Sequence, residues 1–103
     1  MSANEIHVGD IGTVFELTIM DGPSVVDISL ATLANCIILK APDDGKLTKT
    51  GVFVTDGTDG KVKYTTVAND LDEAGSWSIQ AKIVLGTLQW YSSIENFNVH
   101  SNL

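Results

Sequence analysis

The 103-residue sequence holds a single cysteine, Cys36. One thiol excludes an internal disulfide, a multi-cysteine zinc site and an iron–sulfur cluster. The two histidines, His7 and His100, both sit near chain ends and leave little material for acid–base chemistry. Basic residues are scarce: six face thirteen acidic ones, for a formal charge of −7. A nucleic-acid binder needs a basic stripe that displaces phosphate counterions, and an anionic membrane surface needs the same excess, so neither partner is expected. The longest apolar run, Cys36 to Leu39, falls far short of the ~20 residues that span a bilayer. The opening Met1-Ser2-Ala3-Asn4-Glu5-Ile6-His7 has neither a basic stretch nor an apolar one, so no secretory leader is expected. No linker, tail or second domain is read, and residues 1–103 are expected to form one domain.

What is present is apolar residue in a two-residue period. The hydrophobic fraction is 44% and the charged fraction 18%, enough for a core and unlike a disordered chain. In Thr13 to Met20, Phe15, Leu17 and Ile19 share one face while Glu16 and Thr18 take the other. Asp21-Gly22-Pro23-Ser24 reads as a turn, and Val25 to Ile28 as a short strand. Leu30 to Ala34 reads as one helical turn, too short to stand alone. Cys36 to Ala41 reads as a strand buried on both sides, closed by the turn Pro42-Asp43-Asp44-Gly45.

Two hairpins follow. Lys49–Thr55 and Lys61–Val67 flank a loop at Asp56–Gly60. Pairing Thr55 with Lys61 sets Val54 opposite Val62 and Val52 opposite Tyr64 on an apolar face, with Phe53 opposite Lys63 on the other. After a polar turn at Asp70–Gly75, the strand Ser76–Leu85 presents Trp77, Ile79, Ala81, Ile83 and Leu85 to one side. Gly86-Thr87 suits a two-residue hairpin turn with glycine first. The returning strand then sets Leu85 against Leu88, Ile83 against Trp90, Ala81 against Ser92 and Ile79 against Ile94. On its other face Lys82 meets Tyr91. Phe97 and Val99 fall out of phase with Trp90 and Ile94, and a bulge near Glu95-Asn96 restores them.

About seven short strands, turn signals every 8–12 residues and no long helix predict an antiparallel immunoglobulin-like β-sandwich, with a small barrel as the alternative. The expected core is Phe15, Leu17, Ile19, Ile38, Val52, Val54, Val62, Tyr64, Trp77, Ile79, Ile83 and Val99. Ile37 and Leu39 compete with Ile38 for its side.

Each candidate for chemistry has a plainer reading. Asp43, Asp44, Asp56, Asp59, Asp70, Asp72 and Glu73 fall in turns, where clustered carboxylates hold calcium, but the Asp-x-Asp-x-Asp-Gly spacing is missing and turn chemistry accounts for them. A carboxylate pair for glycoside cleavage needs one raised pKa, which solvent-facing turns do not provide. No Gly-x-Ser-x-Gly elbow and no glycine-rich phosphate loop before a helix occurs. Cys36, within an apolar run, reads as a small buried hydrophobe. The expectation is a non-enzymatic protein with no cofactor and no metal.

Aromatic residues mark what contact surface there is. Trp77 and Trp90 fall on the apolar face, so a sugar-stacking platform lacks its aromatic plane. Phe53 beside Lys63 and Tyr91 beside Lys82 point outward, an aromatic–lysine mix suited to an interface centre and its rim. These four residues are the expected protein interface.

One resemblance covers nearly the whole chain, from about Ile6 to Val99. It runs through Val8-Gly9-Asp10-Ile11-Gly12-Thr13-Val14-Phe15, an Asp-Gly turn, Val26-Asp27-Ile28-Ser29 and Lys40-Ala41-Pro42-Asp43-Asp44-Gly45. It continues through Asp59-Gly60-Lys61-Val62 and Leu71-Asp72-Glu73-Ala74-Gly75-Ser76-Trp77-Ser78-Ile79-Gln80-Ala81. This order resembles the immunoglobulin-like N-terminal domain of the phage baseplate upper protein family and similar small free-standing tailed-phage proteins. No counterpart of the family's further segments, which build its host-binding assembly, is expected here. The resemblance implies a bacteriophage virion structural protein, made in the host cytoplasm. It would bind other virion proteins as a tail or baseplate accessory or as a capsid decoration (cement) protein, and a homo-oligomer is compatible with that role. The alternative reading is a carbohydrate-binding module for host surface glycans.

Overall fold

The structure, a computed structural model, describes residues 6–102. Over that range the chain is all-β, with eleven short strands and no helix. They are β1 (Ile6–His7), β2 (Val14–Thr18), β3 (Met20–Asp21), β4 (Ser24–Val25), β5 (Ile37–Lys40) and β6 (Lys46–Lys49). Then come β7 (Val52–Phe53), β8 (Lys61–Thr65), β9 (Gly75–Leu85), β10 (Leu88–Tyr91) and β11 (Glu95–His100).

The longest strand, β9, organises a six-stranded sheet in the order β1-β11-β9-β5-β6, with β10 also paired to β9. Its period-2 sequence buries Trp77, Ile79, Ala81 and Ile83 at 0–1% exposure and turns Ser76, Ser78, Gln80, Lys82 and Val84 the other way. The sheet is mixed: β1 runs parallel to β11, with Ile6 beside Val99 and His7 beside His100. A second sheet, β2-β8-β7, is antiparallel, and β3 and β4 make a small hairpin. Leu17, Val62 and Tyr64 of the second sheet join Ile37, Leu39, Trp77 and Ile79 of the first in one hydrophobic core. The rings of Phe15 on β2 and Phe97 on β11 meet across it, 4.6 Å apart.

Gly60 is the point where three segments converge. Its carbonyl accepts the Ile19 N–H at 2.7 Å, and Ile19's carbonyl accepts Val26 N–H at 3.0 Å. A side-chain carbon here would lie 2.9 Å from the carbonyl oxygens of both Ile19 and Val26, and φ is +71°. Only glycine meets both conditions.

Several expectations are corrected. The segment Leu30–Ala34 is not helical; Thr32 instead bridges to Val84. Val25–Ile28 divides into the end of β4 and an extended stretch that sends Ile28 into the core. In β5 only Ile37 and Leu39 are fully buried, so Ile38 leaves the core list and faces outward with Lys40. The first hairpin is displaced by one residue: Val52 opposes Lys63 and Phe53 opposes Val62. Val52 is therefore 52% exposed, and Phe53 packs against the core. Three consecutive apolar residues, Val52-Phe53-Val54, carry no period of their own, so the loop decides. Thr55 is held inside that loop by a hydrogen bond to Asp59 Oδ2, and the Phe53 ring fills the space that the bare Gly57 leaves beside it.

The second hairpin has the expected register from Leu85–Leu88 to Lys82–Tyr91. Gly86 at its turn has φ +62°. The phase change comes earlier than Glu95-Asn96. Ser92 donates its N–H to Ala81's carbonyl at 2.9 Å, and its Oγ accepts the Ala81 N–H at 2.8 Å, in place of a backbone carbonyl. The chain then steps out by one residue, so that Glu95, not Ile94, opposes Ile79. Phe97 falls opposite Trp77, back in phase with the core, and Ile94 is left 57% exposed.

Candidate functional site: the outer face of the six-stranded sheet

The face of β9 turned away from the core carries Ser76, Ser78, Gln80 and Lys82. Their neighbours by register are Asn98, Asn96 and Tyr91 on one side and Lys40 and Ile38 on the other. The polar groups are tied to one another across strands. Ser76 Oγ lies 3.2 Å from Asn98 Oδ1, Ser78 Oγ lies 2.7 Å from Asn96 Oδ1, and Gln80 Nε2 donates to Ser92's carbonyl at 2.9 Å. The result is a surface with fixed side chains.

A groove of about 380 Å³ opens on this face, lined by Ile38, Ser78, Gln80, Tyr91 and Ile94, with Lys40 and Lys46 at its side. Two further depressions continue it, one sharing Lys40 and Ser78, the next sharing Ser76. Three of the chain's six lysines, Lys40, Lys46 and Lys82, belong to this face. Asp44 stands at its rim and pairs with Lys40 at 3.3 Å.

The four residues expected to form an interface are not brought together. Tyr91 and Lys82 are paired neighbours on this face, and Tyr91 is 48% exposed. Lys63 lies on the other sheet, between Val52 and Glu16. Phe53 is not beside Lys63 and does not point outward; the displaced register turns it onto the core side with Val62. The sequence reading missed Ile38 and Ile94. A strand buried on both sides hid the first, and the misplaced bulge hid the second. The signal for Ile38 was the lysine two residues on, which belongs to the same face.

The remaining reactive groups are accounted for by structure. Asp43, Asp56 and Asp59 accept backbone N–H groups from Gly45, Thr58 and Lys61 within their own turns. Asp70 departs from its expected place on a solvent-facing turn: it is 1% exposed. It takes a hydrogen bond from the Tyr64 hydroxyl, one from Val67 N–H at 2.9 Å, and the ammonium of Lys49 at 2.8 Å. Burial pushes its carboxyl up, but the bonds from Lys49, Tyr64 and Val67 outweigh this and hold it below the ordinary value. Burial, then the Asp70 carboxylate, pushes the Tyr64 phenol up. Cys36 is 2% exposed, and burial raises its thiol. The His7 and His100 rings lie 5.7 Å apart at the β1–β11 pair, brought together by the parallel pairing. Among the described residues no three of His, Cys, Asp and Glu are grouped as metal ligands.

No protein-family model matches this chain, and no curated protein sequence matches it.

Proposed function

We propose that this chain is a non-enzymatic binding module of immunoglobulin-like β-sandwich architecture. Its role is that of a bacteriophage virion structural protein, a tail or baseplate accessory or a capsid decoration protein. The observation that carries the binding role is the outer face of the six-stranded sheet, where Ile38, Tyr91 and Ile94 line one open groove instead of the core. Exposed apolar side chains gathered in a groove and rimmed by polar ones are the usual form of a protein contact site. The two sheets contribute to a single core, which supports the sandwich reading. The virion role rests on the resemblance from Ile6 to Val99. The glycan reading has less support, because Trp77 is 1% exposed and Trp90 packs against the core, leaving Tyr91 alone on the face.

Antibody labelling of purified particles tests the virion role. Label at fixed positions on the capsid or tail is the expected result. Particles that carry none of this chain would overturn it.

A further inference from the structure

We propose that the furrow along the outer face of the six-stranded sheet binds an extended acidic segment of a partner protein, with one apolar side chain of that segment seated between Ile38, Tyr91 and Ile94. This rests on the reading of the chain as a binding module and adds the chemistry of the partner.

Charge is the first argument. On a molecule with thirteen acidic residues and six basic ones, this face collects Lys40, Lys46 and Lys82. Among the described residues one carboxylate, Asp44, lines the furrow, in its middle depression, and it is already paired with Lys40. Several other described carboxylates lie elsewhere. Glu16 and Glu95 line a depression between β2 and the β10–β11 link, and Asp43, Asp72 and Glu73 gather on the Trp77 side. Asp56 and Asp59 sit in the β7–β8 loop. An acidic chain is repelled over most of the surface and attracted here, which fixes where it docks.

Shape is the second argument. The three linked depressions follow β9 from Ser76 to Gln80. Four strand steps at about 3.4 Å give a furrow of about 14 Å, enough for about four extended residues. The part lined by the apolar side chains Ile38, Tyr91 and Ile94 has a volume of about 380 Å³.

The mode of binding follows from the sheet. β9 is hydrogen-bonded on both edges, by β5 on one and by β10 and β11 on the other, so no strand adds to it there. β6, one of the sheet's edge strands, carries Lys46 and Lys49, the kind of side chains that deter strand addition. Recognition is therefore by side chains on a face whose polar groups are already fixed, which lowers the ordering cost of binding.

The test is an NMR titration of the ¹⁵N-labelled full chain at low salt with a random glutamate–tyrosine copolymer, with polyglutamate, and with a neutral glucan oligomer. Amide shifts at Ile38, Gln80, Tyr91 and Ile94 on adding the copolymer, weaker shifts with polyglutamate, and loss of both at high salt are expected. The double variant Lys46→Glu with Lys82→Glu should weaken copolymer binding by about tenfold or more, since like charges then face each other. Its melting temperature, measured in parallel, shows that the fold is intact. Absence of copolymer shifts at low salt, shifts mapping to another face, or shifts at these four residues from the glucan alone would each overturn the proposal. So would sedimentation showing the face occupied by a second copy of the chain. Particle labelling reads the virion role separately, so either reading can fail while the other stands.

Discussion

Lys49 Nζ lies 2.8 Å from Asp70 Oδ1 and ties the edge strand β6 of one sheet to the turn that leaves β8 of the other. Asp70 is almost wholly buried, whereas Lys49 keeps 31% of its side chain in solvent. The two ends of the bridge are thus unequal. Removing the lysine strands a buried carboxylate, while the lysine itself can reach water. Lys49→Met is expected to destabilise the protein by about 2–3 kcal/mol, below the ~3–5 kcal/mol of a fully buried broken pair because of that exposure. Urea denaturation with an unchanged m-value would show it; a loss within ±0.5 kcal/mol would mean the bridge is a surface contact.

The same carboxylate makes stability depend on acid. Its folded-state pKa is depressed, so its contribution is present above the ordinary carboxylate value of about 3.9 and is lost as pH falls through the folded value. The melting temperature should be flat between about pH 5 and pH 7 and fall steeply below about pH 4. Asp70→Asn should start lower and fall less steeply. Asp27 and Asp56, held down by hydrogen bonds from Ser29 and Thr58, are surface groups and keep their share of the slope in the variant. Parallel wild-type and variant curves would rule Asp70 out as the titrating group.

The register of the first hairpin separates two neighbouring substitutions. Phe53→Ser should cost about 2 kcal/mol, because its ring packs on the core side opposite Val62. Val52→Thr, on a half-exposed position, should change stability by no more than about 0.5 kcal/mol. Equal losses in the two melting curves would restore the register in which Phe53 faces out. Trp77→Ala, at a 1% exposed position, should cost about 3–5 kcal/mol in either case.

Gly60→Ala is expected to cost about 2 kcal/mol or more, since its φ of +71° and two carbonyls at 2.9 Å oppose a side chain together. Gly22→Ala, also at positive φ but with open space around it, should cost less. A thermal melt that ranks them in the reverse order would show that the crowding at Gly60 relaxes freely.

How much of this was legible follows from what kind of signal each element carries. The β9–β10 register is legible from Leu85–Leu88 to Lys82–Tyr91, because Trp77, Ile79, Ala81 and Ile83 alternate without a break and Gly86 fixes the turn; the expected Ile79–Ile94 pair beyond it is lost to the bulge. Leu17, Ile19 and Val62 were placed in the core for the same reason. Where apolar residues run consecutively, at Cys36–Leu39 and Val52–Val54, period gives no side, and loop hydrogen bonds or neighbouring strands decide. The groove depended on both failures, since it needs Ile38 turned out and Ile94 displaced by the bulge. Asp70 looked like any turn acid. Its burial comes from Lys49, twenty-one residues earlier, a pairing that only the β5–β6 hairpin and the two-sheet arrangement bring about.

The parallel pairing of β1 with β11 bears on how the chain answers a pull. Val8 N–H donates to His100's carbonyl at 3.0 Å, and Asn102 Nδ2 donates to Val8's carbonyl at 2.8 Å, so the seam continues past the paired residues. Tension entering before β1 and leaving after β11 drags two parallel neighbours in opposite directions along their own axes. The bonds between them then share the load and slide together, instead of opening one by one as at an antiparallel end. Rupture requires the whole short seam to yield at once, so a force along the chain meets its resistance here before it reaches the strands that hold the core.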